Sequence, residues 1–173
     1  MDRHVLITGG AGFIGSHLVD RLLAEGGWRI TVLDNFDPFY PRAVKERNLA
    51  AALGHPQLRV VEADLLAPDL DALLGEAPID LIVHIAAKAG VRPSIADPIG
   101  YHRVNVTGTL ALLEMARRRK VPHFILASSS SVYGENPNVP WKESEHGLVP
   151  ISPYAATKLA AEQFARVHSA LHG

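Results

Sequence analysis

Short apolar runs alternate with amphipathic helical patterns along the chain, and this alternation predicts a parallel β-sheet with helices on both faces. The five predicted strands are Val5–Ile7, Trp28–Leu33, Leu58–Glu62, Asp80–Ile85 and His123–Ala127. The predicted helices are Ser16–Ala24, Arg42–Leu53, Asp69–Leu74, Ile99–Lys120 and a last one from Ser152 or Pro153 to about Leu171, and a loop is expected at Gly90–Ser94. The pattern therefore predicts a doubly wound α/β fold in one domain, residues 1–173.

A glycine-rich turn, Thr8–Gly15, joins the first predicted strand to the first predicted helix. Gly9 permits a tight turn, Gly12 lets the backbone approach a pyrophosphate, and Gly15 lets the helix pack close to the sheet. The phosphates would lie at the helix N-terminus. The Gly-x-x-Gly-x-x-Gly spacing is one residue wider at its start than the commoner form. The turn alone therefore leaves a purely structural role open.

An aspartate closes the second predicted strand where a dinucleotide site requires an acid. Asp34 lies 19 residues after Gly15, close to the ~20 expected for the acid that binds the adenosine ribose. A carboxylate there repels a 2′-phosphate, so it favours NAD over NADP. The alternative is an aspartate that only caps a helix or orders a loop.

The last predicted helix carries Tyr154 and Lys158 in its first turns. Their i,i+4 spacing puts a phenol and an ammonium on one helical face. A phenol ordinarily has a pKa near 10, so a tyrosine base near pH 7 needs its phenolate stabilised by roughly 4 kcal/mol. A neighbouring lysine, the positive ring of an oxidised nicotinamide and a helix N-terminus all act in that direction.

With these motifs the chain resembles the extended short-chain dehydrogenases/reductases, in particular the NAD-dependent nucleotide-sugar epimerases and dehydratases. The matching segments occur in the family's order over nearly the whole chain. They are Thr8–Gly15, Asp34, Asp64–Leu65, His84–Ala87, Asn105–Thr109, Ser128–Gly134 and Tyr154–Lys158. The resemblance implies a Rossmann-type sheet with strand order 3-2-1-4-5 and the fifth strand at an exposed edge.

The resemblance also implies which residues bind the cofactor and which react. The implied catalytic residues are Ser129, Tyr154 and Lys158. The residues expected to contact NAD are Gly9, Gly12, Phe13, Ile14, Gly15, Asp34, Asn35, Asp64, Leu65, Ala86, Ala87, Lys88, Asn105, Tyr154 and Lys158. Ser130 and Arg92 are expected to contact a nucleotide sugar.

At five positions the sequence leaves a second role open. Asp64 either contacts the adenine or caps the end of a strand. Lys88 either reaches the nicotinamide ribose or is a solvated lysine, and Arg92 either faces the sugar nucleotide or solvent. Asn105 either lies near the active site or is a buried amide bonded to backbone. His84, within the fourth predicted strand, is expected to be a core histidine rather than a catalytic one.

The expected reaction is epimerisation of a UDP-hexose or UDP-hexuronate at C4 through a 4-keto sugar. Tyr154 would take the proton of the 4-hydroxyl and Lys158 would bond the nicotinamide ribose. Ser129, with Ser130 as the neighbouring alternative, would bond the reacting oxygen. Related dehydratases and decarboxylases usually carry an acid just before the Val-Tyr-Gly of the strand-end motif. Ser131 stands there in this chain, so an epimerase is expected over a dehydratase or decarboxylase.

Composition narrows the possible partners and location. The formal net charge of −1 provides no electrostatic case for binding nucleic acid or an anionic membrane. The absence of cysteine excludes disulfides and thiolate catalysis, and the nine histidines lack a zinc spacing, so no metal is expected. Without a signal peptide or spanning run, a cytoplasmic enzyme is expected. In the family the long helix here predicted at Ile99–Lys120 helps to form a homodimer, which is expected here too.

The resemblance covers only the amino-terminal part of the family. Members are commonly much longer, and the carboxyl-terminal region that binds the substrate nucleotide is expected to be absent from these 173 residues. Two classes of function therefore stay open: a C4 epimerase or its catalytic half, and a module that binds NAD without turnover. The set of Ser129, Tyr154 and Lys158 favours an enzymatic origin, because a simple binder has no need of it.

Overall fold

The computed structural model describes residues 2–173 and contains a five-stranded parallel sheet. Its strands are β1 (Arg3–Thr8), β2 (Trp28–Asp34), β3 (Leu58–Glu62), β4 (Leu81–His84) and β5 (His123–Leu126). They lie in the order β3-β2-β1-β4-β5, which confirms the predicted order. Leu6 of β1 pairs with Thr31 on one side and Ile82 on the other. The strand that leads into the glycine-rich turn is therefore central, and β5 lies at an edge, with Ile125 54% exposed.

Helices occupy most of the chain between and after the strands. They are α1 (Phe13–Glu25), α2 (Arg42–Leu49), α3 (Leu70–Leu74), α4 (Val91–Ala96), α5 (Pro98–His102), α6 (Gly108–Arg118) and α7 (Pro153–His172). A π-helical segment, Arg103–Thr107, joins α5 to α6, and a 3-10 turn, Ser130–Tyr133, follows β5. Within residues 2–173, no helix combines the length and the apolar character needed to cross a bilayer.

Most element ends lie within three residues of the predicted ones, and three differences are larger. The prediction of a loop at Gly90–Ser94 is wrong, because helix α4 begins at Val91. Pro93 lies in the first turn of α4, where the missing N–H of a proline costs no helical hydrogen bond. The predicted helix Ile99–Lys120 is divided by the π-helical segment. Helix α2 ends at Leu49 rather than at the predicted Leu53.

Contacts group the chain into two compact units. The first contains the residues up to Ala86 together with Ala111–Ala127, and it holds the whole sheet with α1, α2 and α3. The second contains Ala87–Leu110 and Ser128–Gly173, with α4, α5, the π-helical segment and α7.

Both faces of the sheet are buried in the first unit. Val5 and Ile7 point to one face and Leu6 to the other, and all three are fully buried. The first face packs against Val19 of α1 and Leu49 of α2. The second face packs against side chains that include Leu70, Leu74, Leu112 and Met115. This two-sided burial is why the strands are apolar runs rather than alternating patterns.

Candidate functional site

Backbone atoms leave no room for a side chain at two positions of the glycine-rich turn between β1 and α1. Gly9 has φ +72°, and a Cβ there would lie 2.7 Å from the backbone nitrogen of Ala86, directly beyond β4. A Cβ at Gly15 would collide with the carbonyl oxygen of Gly9. Both obstacles are backbone atoms, which cannot rotate away. The turn, the start of α1 and the end of β4 therefore meet at van der Waals distance.

The N-terminus of α1 is available to an anion. Gly12 is its N-cap, and within residues 2–173 no side chain caps it and no acidic residue stands in its first turn. The first N–H groups of a helix need acceptors from outside it and lie at the positive end of its dipole. Phe13 and Ile14 begin the helix with side chains 69% and 65% exposed. A pyrophosphate is the kind of group that this backbone accommodates.

Asp34, at the end of β2, is buried and held by three donors. Its Oδ1 accepts from the N–H of Phe36 at 2.9 Å and from Nζ of Lys45 at 2.9 Å. Its Oδ2 accepts from the N–H of Ala11 at 3.1 Å. The side chains of Lys45 and Asp34 are only 9% and 4% exposed. Sequence reasoning selected Asp34 but missed Lys45, whose one signal is its place four residues before the buried Leu49 of α2.

Asn35 and Asp64 lie side by side beyond the ends of β2 and β3. Nδ2 of Asn35 donates to Oδ2 of Asp64 at 3.0 Å. Oδ1 of Asp64 accepts from the N–H of Leu66 at 2.9 Å, which is the strand-end capping role that the sequence left open. Both polar residues are exposed, whereas Leu65 is buried in the core. The exposed pair leaves polar groups for a ligand, and Leu65 has only its backbone to offer.

His84 of β4 is a core histidine, as predicted. It is 2% exposed, and its Nδ1 lies 2.6 Å from Oγ1 of Thr8. The N–H of Ala86 also bonds Thr8, at 3.0 Å to its carbonyl oxygen. These contacts fasten the end of β4 to the end of β1, next to the glycine-rich turn.

In the second unit, Asn105 orders the segment that begins with the half-buried Ala87. Oδ1 of Asn105 accepts from the N–H of Lys88 at 2.8 Å, and Nδ2 donates to the carbonyl oxygen of Lys88 at 3.0 Å. Nδ2 also donates to Oγ1 of Thr157 in α7 at 3.1 Å. Asn105 is 2% exposed and stands in the π-helical segment, a type of distortion that is frequent at functional sites. Of the two roles left open, the buried amide bonded to backbone is the one observed.

Lys88 is held in an ion pair rather than left in solvent. Its Nζ lies 2.7 Å from Oδ2 of Asp97 and 5.6 Å from the ring centre of Tyr101. The hydrogen bonds from Lys88 and from the N–H of Gly100 lower the pKa of Asp97. Arg92, in α4, is exposed.

Helix α7 begins with two hydroxyl caps that position Tyr154. Oγ of Ser152 accepts from the N–H of Ala155 at 3.1 Å, and Oγ of Ser94 accepts from the N–H of Tyr154 at 3.0 Å. Tyr154 is half-buried, and its ring meets that of Tyr101 edge to face at 6.3 Å between centres. Sequence reasoning missed Ser94 as a cap because it lies far from α7 along the chain.

Lys158 follows Tyr154 by one helical turn and is 6% exposed. Burial lowers the pKa of Lys158 from 10.5 to about 8, because a charged ammonium loses hydration there. A lysine with this pKa changes its protonation state close to neutral pH, the range in which a proton-transfer site operates.

The serines after β5 are tied into local structure. Oγ of Ser129 accepts from the N–H of Ser131 at 3.2 Å and so caps the 3-10 turn, while Ser130 is exposed. Oγ of Ser128 donates to the carboxylate of Glu162 in α7. Sequence reasoning missed Glu162, although it stands four residues after Lys158 and so continues the helical spacing from Tyr154.

The strand order, the glycine-rich turn after β1 and the acid after β2 define a Rossmann-type dinucleotide-binding protein. Residues 5–173 match the NAD dependent epimerase/dehydratase family, and the chain belongs to that family.

Known proteins of similar sequence include an epimerase and a dehydratase. The chain is 38% identical to "Probable UDP-glucuronate 4-epimerase" of Rhizobium meliloti (strain 1021), over 96% of this chain and 49% of that protein. It is 39% identical to dTDP-glucose 4,6-dehydratase of Streptomyces griseus, over 100% of this chain and 52% of that protein.

A solved structure is similar as well. The UDP-glucuronic acid 4-epimerase from Bacillus cereus, in complex with UDP-glucuronic acid and NAD, superposes with a TM-score of 0.90 at 35% identity, over 98% of this chain and 53% of that chain. The present chain thus spans about half the length of each of these three relatives.

Proposed function

We propose that this chain binds NAD and forms the cofactor-binding and catalytic part of an enzyme that epimerises a nucleotide sugar at C4. The observation that carries the proposal is the contrast between two helix N-termini. That of α7 is capped by hydroxyls of the chain, whereas that of α1, beside the glycines, has no side-chain cap among the described residues. Its amides and dipole suit a pyrophosphate.

The residues present fit NAD. Gly9 and Gly15 let the turn pack tightly against the end of β4 and the start of α1, and at Gly12 a Cβ would meet only the carbonyl oxygen of Gly9, at 3.2 Å. Asp34 offers a carboxylate to the adenosine ribose. The exposed amide of Asn35 and carboxylate of Asp64 lie together beyond β2 and β3, where they would bond the adenine. Bound NAD would supply the redox chemistry, as the acceptor and then the donor of the hydride of C4.

Residues of α7 and of the serine-rich segment after β5 would transfer the proton of the 4-hydroxyl. Tyr154 takes the proton of the 4-hydroxyl while C4 becomes a ketone, and it returns the proton to the 4-oxygen when the C–H bond re-forms. Lys158 stabilises the phenolate, and Ser129 bonds the reacting oxygen. General acid–base catalysis of this kind contributes about 10²–10⁴-fold to a rate.

Similarity to the Streptomyces griseus dehydratase supports a second candidate, a nucleotide-sugar 4,6-dehydratase. That reaction needs an acid for elimination beyond C4, as does decarboxylation. The residue before Val132 is Ser131 rather than an acid. The nearby carboxylate of Glu162 accepts a hydrogen bond from Ser128. We therefore favour the C4 epimerase, with a UDP-hexose or UDP-hexuronate as the substrate. The homodimer and the cytoplasmic location remain predictions.

The test is a titration of the purified chain with NAD, followed in the same sample by UDP-glucose, UDP-galactose and UDP-glucuronate. NAD binding with formation of the C4 epimer supports the whole proposal. NAD binding without a sugar product fits the cofactor-binding half of an epimerase or a binding module without turnover. A 4-keto-6-deoxy sugar or released carbon dioxide would refute the epimerase assignment, and the absence of NAD binding would refute the cofactor assignment.

A further inference from the structure

We propose that Lys45 is a positioning residue for cofactor recognition: it holds the Asp34 carboxylate so that a single acceptor site remains for the adenosine ribose. This inference rests on the proposed binding of NAD. It assigns a role to a buried lysine of α2, which lies outside the dinucleotide-binding motif.

The acceptor sites of Asp34 are almost completely used by the chain itself. An ionised carboxylate has about four acceptor sites. Oδ1 receives the N–H of Phe36 and the ammonium of Lys45, both at 2.9 Å. Oδ2 receives the N–H of Ala11 at 3.1 Å. Among the described contacts, one site on Oδ2 is left, which matches the need of one ribose hydroxyl.

The contacts around Lys45 restrain the turn as well as the acid. Asn48, about one helical turn after Lys45 in α2, donates from Nδ2 to the carbonyl oxygen of Ala11 at 3.0 Å. Ala11 therefore bonds Asp34 through its N–H and α2 through its carbonyl. Phe36 has φ +52°, a conformation that bulky residues rarely adopt and that clusters at ligand sites.

Stability alone does not account for this buried pair. The side chains of Lys45 and Asp34 are 9% and 4% exposed, and desolvating two charges offsets most of their attraction. Apolar side chains of similar volume would often stabilise such a site equally well. What the ion pair provides instead is a fixed orientation of one carboxylate, at the point where the cofactor would lie.

The test measures the affinity of the full chain for NAD and for NAD that lacks the adenosine 2′-hydroxyl. The wild type is expected to prefer NAD by about tenfold, the effect of one hydrogen bond to a charged group. Lys45→Met leaves Oδ1 with only the N–H of Phe36, so the carboxylate is less restrained and offers a second acceptor site. The preference is therefore expected to fall to about twofold or less. Lys45→Arg keeps the charge, but its planar fork engages both carboxylate oxygens and fills the last site. The same loss of preference is expected for it.

Arg47→Met is the matched control, because Arg47 is an exposed cation of the same helix, and it should keep the tenfold preference. Circular dichroism and thermal unfolding establish that each variant folds, and Lys45→Arg decides the question if Lys45→Met does not fold. Equal weakening of both dinucleotides, with the preference unchanged in Lys45→Arg, overturns the positioning role alone. A wild type that binds neither dinucleotide overturns the proposed function and this inference with it.

Discussion

At the scale of single residues, Lys45 and Lys158 show how surroundings assign different chemistry to the same side chain. Both are buried. Nζ of Lys45 lies 2.9 Å from Oδ1 of Asp34 and restrains that carboxylate. For Lys158 the loss of hydration dominates, and it lowers the pKa to about 8. The first is suited to hold a group in place and the second to take part in proton transfer.

The lowered pKa of Lys158 predicts a stability that rises with pH. Below about pH 8 the lysine is protonated in both the folded and the unfolded chain, so the cost of burying its charge is constant. Between about pH 8 and 10.5 the unfolded chain holds one more proton than the folded chain. The free energy of unfolding should therefore rise by about 3 kcal/mol across this interval.

Urea unfolding at several pH values measures this rise as a difference between the wild type and Lys158→Met, which should lack it. Lys142→Met, at an exposed loop lysine, is the control and should behave like the wild type. Parallel pH profiles for the wild type and Lys158→Met would contradict the assignment.

Tyr154→Phe should separate cofactor binding from chemistry. The phenol oxygen is the proposed base, and its removal leaves the half-buried ring and the helix in place. We expect kcat to fall by at least ~10²-fold, with the affinity for NAD changed by less than about threefold. An NAD titration measures the affinity. The rate of UDP-glucose epimerisation measures kcat, in this chain or in a longer protein that contains it. Tyr40→Phe, at an exposed tyrosine, should leave both unchanged; equal rates for the two variants would exclude Tyr154 as the base.

At the scale of elements, helices α1 and α7 differ in how the N–H groups at their N-termini are satisfied. Helix α7 satisfies its first N–H groups with Ser94 and Ser152, so its N-terminus is a rigid support for Tyr154. Helix α1 begins at a glycine, without such caps among residues 2–173. One N-terminus is thus completed by the protein, and the other is suited to completion by an anion.

Two glycines of the turn should respond differently to alanine. At Gly15 a Cβ would collide with backbone atoms of Gly9 and Gly10, so Gly15→Ala should lower the free energy of unfolding by about 3 kcal/mol. At Gly12 the nearest atom is the carbonyl oxygen of Gly9 at 3.2 Å and φ is −74°. Gly12→Ala should lower the free energy of unfolding by about 1 kcal/mol or less, and yet it should weaken the binding of NAD by more than tenfold. Urea unfolding and NAD titration of both variants check this; comparable losses of stability would show that the turn is equally tight at both positions.

At the scale of the whole molecule, the parallel sheet brings segments that are distant in sequence together at the carboxyl ends of its strands. The carboxyl ends of β1, β2 and β4 carry the glycine-rich turn, Asp34 and Ala86. In doubly wound sheets, ligands bind at this edge, where the strand order reverses. A ligand bound there contacts residues from several strands, so it should stabilise the fold against unfolding.

NAD should therefore raise the free energy of unfolding in a concentration-dependent manner. A ligand that binds only the folded chain contributes about 2.7 kcal/mol at a free concentration of 100 times its Kd. We expect this gain with NAD and a smaller gain with the same concentration of NADP, because the carboxylate of Asp34, proposed to bind the adenosine ribose, would repel the 2′-phosphate of NADP. Denaturant unfolding at a series of concentrations measures both. Equal gains with the two dinucleotides would contradict the assignment of Asp34.

Much of the fold was predictable because its signals are local. Apolar runs are dictated by burial on both faces of the sheet, and β3 lies where it was predicted, at Leu58–Glu62. The start of α7 at Pro153 follows from a serine N-cap and a proline in the first turn. Helix α4 was not predictable, because six residues with a proline have little helical propensity alone, and packing against α7 supports them.

The sequence by itself determined the order of elements, the glycine-rich turn, Asp34 and the Tyr154–Lys158 pair, because each depends on spacing along a single strand, turn or helix. Only the tertiary structure decided the partners of these residues. The ion pair of Lys45, the amide bridge of Asn105 and the cap from Ser94 each join groups from different elements. Such contacts depend on how separate elements pack against one another, and burial then sets their strength by removing water. Spacing in the sequence carries no record of that packing.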